Sequence, residues 1–115
     1  MMGIMNASIG STLWGIRMLL KQKMKGSAMT IALEGRMDAS GVQALEEELN
    51  AMLPAVTRLT FDMKKLDYIS SAGLRVLLSA QKTMNLKDGM VIRHVRPQVM
   101  EVFNLVGFSS LLNIE

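Results

Sequence analysis

Two adjacent hydroxyls, Ser70 and Ser71, stand between an apolar stretch that ends at Ile69 and an amphipathic run that begins at Leu74. The spacing predicts a strand end or loop, then the two serines, then a helix. A serine at a helix start lies where backbone N–H groups lack a partner within the helix and where the macrodipole favours negative charge. Two chemistries are open there. The hydroxyl can accept from a backbone N–H and cap the helix, as serines commonly do. It can instead receive a phosphoryl group, which would put about two negative charges at one point on the surface.

The other groups with chemical potential form no comparable pattern. Asp38, Asp62 and Asp67 have no spacing that marks a carboxylate pair or a magnesium site, and read as caps and surface charges. His94, flanked by Arg93 and close to Arg96, reads as a polar residue at a strand end and not as a general base. Cysteine is absent, which excludes disulfides and thiolate metal sites. Gly73 and Gly107 belong to no phosphate-cradling glycine pattern, so a nucleotide-hydrolysing protein lacks the loop it would need.

Composition narrows the partner classes. The chain has 115 residues, one domain's worth, with a formal net charge of +3. The basic run Arg17, Lys21, Lys23, Lys25 reads as a solvated strand face. With only 4% aromatic residues, the chain lacks the basic stripe interleaved with aromatics that nucleic-acid binders show. No run of 18 or more apolar residues occurs, so no transmembrane helix is expected. Twelve methionines fit a core filled by flexible side chains better than a partner groove. Residues 1–15 read as an N-terminal extension: the segment from Met1 to Trp14 is apolar and Gly/Ser-rich and lacks the basic start of a secretory signal.

The elements that must position the serines follow from periodicity. Ile16, Met18 and Leu20 alternate as in a strand, Gly26-Ser27 marks a turn, and residues 28–35 read as a second strand. Asp38 or Ser40 caps a first helix with the stripe Val42, Leu45, Leu49, Met52, closed by Pro54. Leu59, Phe61 and Met63 share one face of a third strand over 58–63. The helix after the serines ends near Asp88-Gly89, and residues 90–93 form a fourth strand. Pro97 opens a third helix that Gly107 stops, and 111–114 read as a last short strand. Alternating strands and helices imply a central sheet with helices packed against one side or both.

The segment Ile69-Ser70-Ser71-Ala72-Gly73-Leu74 resembles the signature of the STAS domain, the fold of bacterial anti-sigma factor antagonists. Leu33-Glu34-Gly35-Arg36-Met37-Asp38 resembles the Gly-x-x-Asp turn ahead of that family's first helix, and the segment from Val95 to Phe108 resembles its last helix. The resemblance covers residues 16–115. It implies a single α/β domain with a central mixed sheet of about five strands and three to four helices.

It also implies a binding module without enzymatic activity or cofactor. Such a protein binds and sequesters a serine-kinase anti-sigma factor when unphosphorylated, with a serine phosphatase as a further partner. Aligning on Gly73-Leu74 puts the family's phosphorylated serine at Ser71, with Ser70 as second choice. The Asp that precedes the acceptor in many members is Ser70 here. Asp38 matches the acidic residue near the site. The implied partner-binding set is Asp38, Ser70, Ser71, Ala72, Gly73 and Leu74, with Gly73 keeping the sheet edge open. The implied setting is cytoplasmic, the protein a monomer or weak dimer, with no nucleic acid and no membrane among its partners. Similar domains also occur as non-switching subunits of transport or lipid-trafficking complexes, in which Ser71 would be a plain cap.

Overall fold

The computed structural model describes residues 18–115. The expected extension over residues 1–15, and the start of the first expected strand at Ile16, lie outside the described residues. Strands β1 (Met18–Lys25) and β2 (Ala28–Met37) form a hairpin across Gly26-Ser27. Helix α1 (Ala39–Met52) follows, extended by a 3-10 turn (Leu53–Ala55) that holds Pro54. Then come β3 (Arg58–Ile69), α2 (Ser71–Met84), β4 (Met90–Arg93) and α3 (Pro97–Leu105). The strand order is β1-β2-β3-β4, antiparallel for the first pair and parallel for the other two, which makes the sheet mixed.

All three helices lie on one face of the sheet. Met29, Ile31 and Leu33 of β2, Leu59, Phe61 and Met63 of β3, and Met90 and Ile92 of β4 point inward and are buried. They meet Leu45 and Leu49 of α1, Leu74 and Leu77 of α2, and Val99 and Phe103 of α3 in one core. Burial of each such side chain contributes about 1.5–3 kcal/mol. On the other face Lys21, Lys23, Lys25 and Arg93 are exposed, as expected for a solvated strand face.

Two expectations are corrected. The third strand does not stop at Met63 but runs to Ile69. Strict alternation breaks after Met63 because the register with β2 slips twice. Ala32 pairs with Asp62 but Glu34 with Lys65, and Gly35 pairs with Leu66 but Arg36 with Tyr68. At each slip β3 carries one extra residue, a bulge that moves its inward positions to Leu66 and Ile69. The fifth strand is reduced to a single bridge between Ile92 and Ile114. Turns hold the preceding residues, with Leu111 and Leu112 N–H both donating to the Phe108 carbonyl. Only Asn113 and Glu115 then bond to Ile92. The sheet among the described residues therefore has four strands.

Candidate functional site

β2 and β3 end side by side, with Met37 paired to Ile69. The next residue on each strand, Asp38 and Ser70, keeps an extended backbone and caps a helix. Asp38 Oδ1 accepts from the Gly41 N–H at 3.4 Å and from the Ser40 hydroxyl at 3.2 Å. The Ser70 hydroxyl accepts from the Gly73 N–H at 3.2 Å. The Ser70 N–H donates across to the Met37 carbonyl at 3.0 Å. The positive ends of two helix dipoles are thus adjacent on one sheet edge.

The two serines are placed differently. Ser70 is the cap: its hydroxyl is engaged and it is half-buried. Ser71 is the first residue of α2, is exposed, and its hydroxyl makes no hydrogen bond among the described residues.

The remaining members of the expected set are placed differently. Ala72 is half-buried, and Leu74 is fully buried. Gly73 is buried as well, and faces inward instead of holding the edge open. A Cβ there would lie 2.6 Å from Met37 Sδ and 2.9 Å from Ile69 Cγ1. The glycine lets α2 settle against the ends of β2 and β3, so Gly73 and Leu74 place the helix against the sheet. Gly35 of β2 is required for a backbone reason instead. Its φ of 93° lies where side chains are strained, at the second register slip.

Three arginines lie on α2 or pair with β3 residues shortly before Ser70. Arg36 and Tyr68 are register partners two residues before Asp38 and Ser70, and the Arg36 guanidinium stacks 4.3 Å from the Tyr68 ring centroid. Arg96, the residue before Pro97 of α3, pairs with Asp67. Arg75 is exposed on α2, one turn from Ser71. Sequence reading passed over these residues. For Arg36 the signal lies in the parallel register with Tyr68, whereas Arg75 is marked by its four-residue spacing from Ser71.

Asp62 and His94 belong elsewhere, on the solvent face of the sheet. His94 follows β4 with φ of 60°, a region in which His is enriched. Its Nδ1 lies 3.1 Å from Asp62 Oδ1, and the Lys64 N–H also donates to that oxygen at 3.0 Å. Burial alone would raise the Asp62 pKa. The Lys64 N–H and His94 outweigh it and hold the carboxylate below its ordinary value. Among the described residues no group of three or more His, Asp or Glu is placed to hold a metal ion, and no helix is long and apolar enough to cross a membrane.

Comparison with known proteins agrees with this architecture. A family model described as Mlab, STAS domain, matches residues 20–113. BtrV of Bordetella bronchiseptica, a candidate anti-sigma factor antagonist, is 39% identical over 93 residues, 78% of this chain and 80% of that protein. Two solved structures share the fold. The anti-sigma factor antagonist SpoIIAA in its unphosphorylated form has a TM-score of 0.73 at 19% identity, covering 84% of this chain and 87% of that one. The Bacillus cell fate determinant SpoIIAA in its phosphorylated form has a TM-score of 0.66 at 18% identity, covering 84% and 90%. With a mixed sheet covered on one face, paired caps on one edge and a match to almost every described residue, the chain belongs to the STAS domain family.

Proposed function

We propose that the protein is an anti-sigma factor antagonist whose binding is switched by phosphorylation of Ser71. Unphosphorylated, it sequesters a cytoplasmic anti-sigma factor that is itself a serine kinase. The observation that carries this reading is the exposed, unbonded hydroxyl of Ser71 at the first position of α2, beside the Asp38 cap. The relative named as a candidate anti-sigma factor antagonist supports the antagonist part of this reading.

The protein supplies a hydroxyl and no catalysis. Ser71 Oγ attacks the γ-phosphorus of ATP held by the kinase. The bond from that phosphorus to the β–γ bridging oxygen breaks, ADP leaves, and the hydroxyl proton passes to a base of the kinase. A neutral Ser71 can lie in a close interface. A phosphoserine on the same edge as Asp38 adds like charge and a desolvation penalty. A loss of about 3 kcal/mol would weaken binding roughly a hundredfold.

The test is to mix the protein with the kinase and ATP and locate the label by mass spectrometry. Transfer to Ser71 is expected, and transfer to neither serine would overturn the switch. The remaining reading would then be a non-switching subunit of a transport or lipid-trafficking complex. Ser71→Ala should keep binding the kinase and Ser71→Asp should bind poorly. Equal binding by the two would remove the charge mechanism.

A further inference from the structure

Arg75 lies one helical turn beyond Ser71 on α2, and both residues are exposed. Residues four apart on a helix are surface neighbours, about 5–6 Å between Cβ atoms. A long helical side chain leans back toward the start of its helix, so the Arg75 guanidinium is carried toward Ser71. No Asp or Glu occurs in α2, so no acid on the same helix competes for it. The neighbouring arginines are engaged, Arg36 with Tyr68 and Arg96 with Asp67. Arg75 makes no ion pair among the described residues. An arginine without an ion pair therefore stands one helical turn from an unbonded hydroxyl.

We propose that Arg75 is the built-in counter-ion of the phosphorylated state: when Ser71 carries phosphate, the guanidinium forks onto two of its oxygens. This rests on reading Ser71 as the phosphorylation site. The contact is non-covalent, and bidentate pairing is what distinguishes an arginine from a lysine at such a spot. It would offset the repulsion that Asp38, at the start of α1, imposes on a phosphate at this edge. It would also withdraw a cation from the surface that the unphosphorylated protein offers its partner. Phosphorylation then changes that surface twice, by adding negative charge and by occupying Arg75.

The experiment uses protein with phosphoserine installed at position 71 during synthesis, so no kinase is needed. Phosphorus NMR follows the second ionisation of the phosphoserine, near pH 6 when unperturbed. Arg75 favours the dianion, so the apparent pKa should be lower with Arg75 present than in Arg75→Gln. The expected difference is about 0.3–0.7 units, a two- to fivefold change in proton affinity. Arg75→Lys should recover part of it, and Lys82→Gln, further along α2, should leave it unchanged. The same pKa with and without Arg75, or an equal shift from Lys82→Gln, would overturn the proposal. Failure of the kinase to label Ser71 would sink the switch and leave this measurement intact, so the two failures are separable.

Discussion

The Ser70 N–H donates to the Met37 carbonyl at 3.0 Å, joining the start of α2 to the residue just before the cap of α1. That bond fixes two helix starts against each other on one sheet edge. It also engages Ser70 at both ends, since its hydroxyl already accepts from Gly73. Ser71, one residue on, is left exposed on the surface of α2. Neighbouring serines of identical chemistry thus differ in bonding and exposure.

Substitution should separate the two. Ser70→Ala removes the cap and should lower stability by about 1 kcal/mol in urea denaturation. Ser71→Ala removes a hydroxyl without a partner and should change stability by less than about 0.5 kcal/mol. The order reverses for phosphorylation, with Ser71→Ala blocking the label and Ser70→Ala retaining it.

Gly73→Ala should be destabilising although alanine is the better helix former. The new methyl would meet Met37 and Ile69 closer than real Cβ contacts allow, and both neighbours are buried. A strain of about 1–3 kcal/mol exceeds the gain of about 1 kcal/mol in helix propensity. A melting temperature several degrees lower is the expected result.

Gly35→Ala should also be destabilising, for a backbone reason. A φ of 93° is open to glycine and strained for alanine, which sets the loss at about 1–2 kcal/mol. Thermal unfolding measures it. A variant as stable as the parent would mean that the register slip at Gly35 does not need this conformation.

Asp62→Asn should give a loss of stability that depends on pH. The folded Asp62 pKa is lowered, so its carboxylate contributes stability that is present above its unfolded value, about 3.9. That contribution is lost as pH falls through the lower folded value. Parent and variant should therefore differ in denaturation midpoint at about pH 5, and the difference should shrink as the pH is lowered below the ordinary carboxylate value. The side chains are partly exposed, so the difference should be small and should shrink with salt.

Much of the architecture was legible because local rules agreed with it. Proline and glycine bounded α3, apolar stripes marked all three helices, and Asp38 stood where a cap is preferred. Alternation marks only the first half of the third strand, because the bulges destroy that signal over its last six residues. The reading that placed Gly73 at an open edge failed because a glycine's sequence context does not show which face it turns to a neighbour.

The chain alone determined that a serine pair opens an amphipathic helix, because spacing and capping chemistry act over a few residues. Only the folded molecule decided which serine is spent on the cap. That choice depends on Met37, a residue 33 positions earlier in the numbering, which the parallel pairing of β2 and β3 brings alongside. It likewise decided that Arg36 and Arg96 are engaged and Arg75 is not, since Tyr68 and Asp67 both lie on β3. Contacts between distant positions arise from register and packing, which no short window of sequence contains.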